Sequence, residues 1–215
     1  AFLDHLGVPS ADLRFEGLQG TYHSMYDDFE FLDRVVDPGY HHHMAMTDLW
    51  TRCATRLADA PAVPLRTSAT AEFALDQLWS LADRAEDASA GRPDSLRLSA
   101  SVTPAIEAAR RWAAAAAKAE AAADAAVAAG RTADVERYTA AVIRAERALL
   151  GAGLPGRTWF RHELYAPGLN TGYAPVPLPR LGQAVLDGDA KGWASGITPL
   201  AEAFDRAAAE LARAR

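Results

Sequence analysis

The residue types best able to do chemistry in this 215-residue chain sit in two short segments. They are Gly20-Thr21-Tyr22-His23-Ser24-Met25-Tyr26-Asp27-Asp28-Phe29-Glu30 and Arg161-His162-Glu163-Leu164-Tyr165-Ala166-Pro167-Gly168-Leu169-Asn170-Thr171-Gly172-Tyr173. In the first, His23 is a candidate metal ligand, since a neutral imidazole is the commonest protein ligand for zinc. A zinc site wants three or more protein ligands, and this loop offers one. Asp27, Asp28 and Glu30 beside it read either as carboxylates that orient the imidazole or as solvated and helix-capping groups. The run His41-His42-His43 makes no metal cluster, because successive helical residues point about 100° apart and three in a row cannot converge on one ion. It reads as the start of a helix.

These segments need elements to hold them. Leu13 to Glu16, after the turn-prone Gly7-Val8-Pro9-Ser10 and with Ala11-Asp12, read as a short strand rising out of a loop. A lone strand leaves its edges unpaired and no second convincing strand follows, so the rest of its sheet is expected to lie outside this chain. From Asp37-Pro38-Gly39 onward the spacing becomes helical. Met44, Leu49, Trp50, Cys53 and Leu57 predict a helix over about 40–58 with that side buried. Ala60-Pro61-Ala62-Val63-Pro64 breaks it, and Ser68 is expected to cap a second helix that carries Phe73, Leu75, Leu78, Trp79 and Leu81 and stops before Gly91-Arg92-Pro93.

Pro104 to Ala129 predicts a long alanine-rich helix, with Pro104 in its first turn and Gly130 beyond its end. Asp134 to Leu150 predicts its antiparallel neighbour, with Val135, Tyr138, Val142, Ala145 and Leu149 on one face. A last helix starts near Ala190 or Thr198 and carries Leu200, Phe204, Ala208 and Leu211. The fold class is therefore mainly α, a helical bundle-like unit with close, alanine-lined contacts, and Trp112 and Trp193 belong in its helix interfaces. A GC-rich genome accounts for much of the alanine whatever the function. The Pro-, Gly- and aromatic-rich stretch from Gly151 to Arg180 is the kind of long interruption that is functional or packed against something.

Composition bounds the function. The net charge of −6, with Arg scattered among Asp and Glu, gives no basic face for nucleic acid. No apolar run is long enough for a membrane span, so no membrane contact is expected from this segment. Cys53 is alone, which excludes an intramolecular disulfide and a cysteine zinc site within the chain. The start, Ala1-Phe2-Leu3-Asp4-His5-Leu6, has neither an initiator Met nor the pattern of a signal peptide, and the natural protein is expected to begin upstream.

The run Gly7-Val8-Pro9-Ser10-Ala11-Asp12-Leu13-Arg14-Phe15, then Tyr22-His23-Ser24-Met25-Tyr26-Asp27 and Asp37-Pro38, resembles the end of the catalytic domain in the glutamate carboxypeptidase family. The resemblance continues through Arg161-His162, Tyr165-Ala166-Pro167 and Tyr173-Ala174 into the helical dimerisation domain that these co-catalytic zinc peptidases share with the transferrin receptor. It implies residues 1–36 as the end of the peptidase domain and 37–215 as the dimerisation domain. It further implies that His23 is the last ligand of one of two zinc ions and that Tyr22 donates its hydroxyl to the oxygen of the tetrahedral intermediate. Arg14 and Tyr173 would bind substrate. The bridging carboxylate, the general base and the other ligands would lie upstream, so the chain alone is expected to be inactive.

The resemblance also implies a homodimer, a peptide substrate for the complete protein and an extracytoplasmic setting. Asp12 stands where the glutamate carboxypeptidases carry a second arginine, and Gly172 where they have a lysine before the tyrosine. Preference for a glutamate-ended substrate is therefore not among the expectations. The alternative is a non-catalytic transferrin receptor-like interaction module, against which the intact Tyr22-His23 pair speaks. A free-standing helical bundle is a third reading.

Overall fold

The computed structural model describes residues 2–17, 20–170 and 175–214, and of Ser95 the backbone only. The chain divides into two compact units, one of residues 1–10 and 65–215, the other of residues 11–64. The first unit opens on α1 (Phe2–Leu6). The second unit holds α2 (Phe29–Phe31), a π-helical turn (Leu32–Val36) and α3 (His41–Ala58).

The first unit continues with α4 (Thr67–Ser89), a 3-10 turn (Asp94–Leu96), α5 (Thr103–Ala128) and α6 (Thr132–Ala148). The antiparallel strands β1 (Tyr165–Pro167) and β2 (Pro175–Pro177) follow, and α7 (Pro179–Asp187) and α8 (Ala190–Ala212) complete it. The expected mainly α class is what the protein has. The strand expected at Leu13 to Glu16 is absent, and these residues are irregular. A strand needs a partner edge, and the described strands pair only with each other, at Tyr165 with Pro177, Ala166 with Val176 and Pro167 with Pro175.

The bundle forms around α5, which packs against α4, α6 and α8. Its buried face is largely alanine, Ala105, Ala108, Ala109, Ala116, Ala119, Ala123 and Ala126, so neighbouring backbones approach closely. Trp112, buried on the same face, stacks on Phe204 of α8 with ring centroids 5.3 Å apart. Trp193 is likewise buried, its indole N–H donating to the carbonyl of Ala100 at 2.9 Å. Both tryptophans thus sit in helix interfaces as expected. Ala116→Leu should lower stability by about 1–3 kcal/mol, because the added branch has no room between helices this close. Urea unfolding followed by circular dichroism reads this; a stability equal to that of the parent would mean the seam is looser than its burial indicates.

Ser68 does not cap α4, contrary to the sequence pattern. It lies inside the first turn, where Glu120 of α5 accepts its N–H at 2.9 Å and its hydroxyl at 2.6 Å. A carboxylate from another helix therefore satisfies the donors that an N-cap side chain would otherwise take.

The unit of residues 11–64 is built differently. Among its described residues Asp37 alone is buried. The side of α3 expected to be buried is open, with Met44 56% and Trp50 39% exposed and Cys53 half-buried. The amphipathic spacing is real, but among the described residues of this unit nothing buries the stripe. Hydrophobic burial thus contributes to the helical bundle and almost nothing to this unit.

In the long interruption after α6, the chain is folded on itself by bridges between Leu150 and His162 and between Leu154 and Arg157. Gly153 at φ 92° makes the tight turn there. A Cβ on it would lie 2.2 Å from the carbonyl oxygen of Thr158, so only glycine fits.

Candidate functional site

The Tyr22-His23 pair is presented by two consecutive turns. The N–H of Ser24 donates to the carbonyl of Thr21 at 2.8 Å, and that of Asp27 to the carbonyl of Ser24 at 3.1 Å. The Ser24 hydroxyl also accepts from the N–H of Tyr26 at 3.2 Å. His23 takes φ 64°, a left-handed conformation that histidine enters more readily than most side chains. The result is a stack of the Tyr22 and His23 rings, centroids 3.9 Å apart and planes 24° apart. Both side chains face out, Tyr22 with 66% of its surface exposed. Asp28 ends the turn by accepting the N–H of Phe31 at 2.8 Å as the N-cap of α2, and Glu30 pairs with Arg34 at 2.9 Å. The helix-capping reading is therefore the one that holds for Asp28.

Arg14 lines a groove of about 670 Å³ together with Phe15, Phe31, Val35, Val36 and His42. Its guanidinium pairs with Glu16 at 2.5 Å, and both side chains are more than 70% exposed. An ion pair this exposed is worth little, so an incoming carboxylate could take the guanidinium at small cost. Tyr22 and His23 are not among the residues that line this groove. Tyr173 lies outside the described residues.

One arrangement in this unit was not singled out by the sequence. Asp37, 3% exposed, accepts the N–H and Nδ1 of His42 at 3.0 Å with one oxygen. Its other oxygen accepts the N–H of His43 at 3.0 Å and meets His43 Nδ1 at 2.6 Å. The three histidines are thus a helix start, two of them closing over the carboxylate that serves the first-turn donors of α3. Burial by itself would raise the Asp37 carboxyl, but the hydrogen bonds from His43 and His42 outweigh it and hold it well below the usual carboxylate range. A depressed carboxyl contributes stability that is complete above its unfolded value and is lost as the pH falls through its folded value. The Asp37 contribution should persist to pH values below the ordinary carboxylate range. Asp37→Asn should therefore lower helicity at neutral pH and flatten its loss below pH 4, about where model aspartate titrates. Identical acid titrations of parent and variant by circular dichroism would contradict this.

In the second segment His162 is 1% exposed and uses both ring nitrogens. Nδ1 receives the N–H groups of Leu164 at 3.3 Å and Tyr165 at 3.1 Å, and Nε2 lies 3.0 Å from Glu146 Oε1 on α6. Glu163 next to it is buried as well. Desolvation pushes its carboxyl up, only partly offset by the Arg180 and Arg206 guanidiniums. Among the described residues no group of three His, Cys, Asp or Glu stands close enough to hold a metal ion. None of the described helices is long and apolar enough to cross a membrane.

Residues 98–212, running from just before α5 to the end of α8, match the transferrin receptor-like dimerisation domain. The chain belongs to that family. It is similar to a probable glutamate carboxypeptidase of Arabidopsis thaliana, 30% identical over 186 residues, which is 86% of this chain and 25% of that protein. A second probable glutamate carboxypeptidase of the same plant is 30% identical over 171 residues, 77% of this chain and 23% of that protein. An inactive zinc metalloprotease of Schizosaccharomyces pombe is 35% identical over 79 residues, 36% of this chain and 10% of that protein. The chain spans about a quarter of the length of the two plant relatives. The family likeness read from the Tyr-His-Ser and Tyr-Ala-Pro segments is the one these comparisons give.

Proposed function

We propose that this chain is the C-terminal segment of a dimeric co-catalytic zinc exopeptidase of the glutamate carboxypeptidase type. Its likeness to the two plant proteins over most of its length, together with the dimerisation-domain match, carries the reading. His23 is the last ligand of one of two zinc ions in the complete protein. Its exposed imidazole on a tight turn suits a ligand delivered to a centre that other residues complete, since one histidine cannot hold the ion by itself. Zinc, when bound, polarises the scissile carbonyl and supplies the activated water.

The chain's own residues supply the rest of its part. Tyr22 donates its hydroxyl to the oxygen that becomes negative as the peptide carbon turns tetrahedral, where a preorganised donor is worth most. The stack on His23 fixes its ring beside the ligand. Arg14 and Tyr173 bind the substrate, Arg14 through a guanidinium whose present partner, Glu16, is weakly held. In this reading residues 1–36 close the peptidase domain and residues 37–215 form the dimerisation domain, although the compact unit of residues 11–64 runs across that line.

The second reading is a non-catalytic interaction module, and the inactive yeast relative is the observation in its favour. Tyr22 and His23 weigh against it, because a module without chemistry needs neither. Metal analysis of the complete purified protein separates the two: about two zinc ions per chain and peptide hydrolysis support the enzyme, and a metal-free inactive protein supports the module.

The dimer carries its own test. Closed two-fold pairs are the commonest assembly, and the matched domain is named for dimerisation. Analytical ultracentrifugation of the complete protein at micromolar concentration should show one species at twice the monomer mass. A single monomeric species would sink this part of the reading.

A further inference from the structure

Between the 3-10 turn and α5 the chain runs extended without a partner strand. Arg97 takes φ −80° and ψ 141°. Burial then alternates from residue to residue, with Arg97, Ser99 and Ser101 exposed, Leu98 and Val102 buried and Ala100 half-buried. That is the period of a strand with one face in the core. It joins no ladder, since the described strands β1 and β2 pair only with each other. We propose that residues 97–101 are a dimer strand, which pairs antiparallel with the same residues of a second copy across a two-fold axis at Ser99; the proposal rests on the dimer reading above.

The two edges of the segment differ. An extended chain sends the N–H and C=O groups of successive residues to opposite sides. On one side the Leu98 N–H donates to the Ser89 hydroxyl at 2.8 Å, and the Ala100 carbonyl accepts the Trp193 indole N–H at 2.9 Å. On the other, the N–H and carbonyl of Ser99, the carbonyl of Arg97 and the N–H of Ser101 meet no protein group among the described residues. One edge is therefore tied to α4 and α8, and the other is left as a template for a further strand. The segment also forms one wall of a groove of about 530 Å³ that it shares with Ala82 and Glu86 of α4.

A second copy of this chain is the occupant that the sequence and the register favour. The match to the transferrin receptor-like dimerisation domain starts at Leu98, so the free edge opens the domain named for pairing. A two-fold interface must be complementary to itself, and a short antiparallel ladder is. Centred on Ser99, the ladder lets the two Ser99 residues exchange both of their bonds and joins each Ser101 N–H to the Arg97 carbonyl across the axis. Arg97 then stands opposite Ser101 and not opposite a second arginine, so like charges are not opposed. A ladder this short does not hold a dimer by itself, since stable interfaces bury on the order of 1,200–2,000 Å². It fixes where the axis passes.

The test is made on the complete protein. In a hydrogen-bonded antiparallel pair the Cα atoms lie about 5.5 Å apart, which is within disulfide range. Ser99→Cys should therefore cross-link to its own copy on mild oxidation at least about tenfold faster than Glu136→Cys, a control on the exposed side of α6. Non-reducing gels read this. Ser99→Pro removes a donor from the free edge and leaves the Leu98 and Ala100 bonds in place. It should raise the dimer dissociation constant at least about tenfold, whereas Ser99→Ala, which keeps the N–H, should stay within about twofold of the parent. Sedimentation equilibrium reads both.

A dimeric parent whose S99C variant cross-links no faster than E136C overturns the proposal and leaves the dimer reading standing. Cross-linking with an unchanged dissociation constant in folded S99P overturns it too, because the strands would then lie near each other without pairing. If S99P fails to fold, the cross-linking comparison decides alone. A parent that is monomeric at micromolar concentration removes the dimer reading and this ladder with it. An inactive protein that dimerises and cross-links through position 99 counts against the peptidase reading and supports the ladder.

Discussion

Replacing His23, the proposed zinc ligand, should lower bound zinc and activity together in the complete protein. On the proposed reading this removes a first ligand from one of two ions, and since even partners behind the ligands cost 10- to 100-fold, activity should fall at least about 100-fold. The choice of substitution matters, because His23 sits at φ 64° and alanine strains that conformation. His23→Asn keeps a side chain that tolerates the turn, so it should match His23→Ala in zinc loss while melting like the parent. Zinc is read by mass spectrometry of the dialysed protein and activity on peptide substrates. Full zinc content in both variants would make His23 a turn residue only.

On the proposed reading of its hydroxyl as an oxyanion donor, Tyr22→Phe should leave zinc and fold in place and lower kcat by about 100-fold. The ring that stacks on His23 at 3.9 Å is kept in phenylalanine, so the variant removes the hydroxyl and little else. Steady-state kinetics separates the alternatives. Falling kcat with constant KM locates the hydroxyl at the transition state; a raised KM with unchanged kcat would mean that Tyr22 binds substrate uniformly and the assigned role is wrong.

The helices were legible because their signals are local. Pro104 and Gly130 bracket α5, and the apolar spacing of Val135, Tyr138 and Val142 marks the buried face of α6. What depends on distant partners was not legible. Ser68 looks like a cap in sequence, yet the carboxylate that serves the start of α4 comes from Glu120 on another helix. The stripe on α3 is a true amphipathic face, but a pattern names a face without naming what covers it, and within its unit Met44 and Trp50 stay open. The strand expected at Leu13 to Glu16 had local propensity and no edge to join. The strands that do form carry three prolines, which no propensity argument favours.

The candidate site divides in the same way. Residue type made His23 a candidate ligand and the family resemblance added Tyr22, whereas their stacking depends on a left-handed backbone at His23 that nothing nearby announces. His162 was visible as part of a conspicuous segment, but Glu146, which gives it a role, lies on a preceding helix with no motif of its own. Asp37 stood in the sequence only where the helical spacing begins, and the structure shows it closing under His42 and His43.

Zinc-edge anomalous diffraction from crystals of the complete protein shows whether His23 is a zinc ligand there. An anomalous peak is expected about 2.0–2.1 Å from a ring nitrogen of His23, with the remaining ligands supplied by residues outside this chain. Zinc bound elsewhere with the His23 ring turned to solvent, or crystals grown with zinc that show no peak at all, would contradict it.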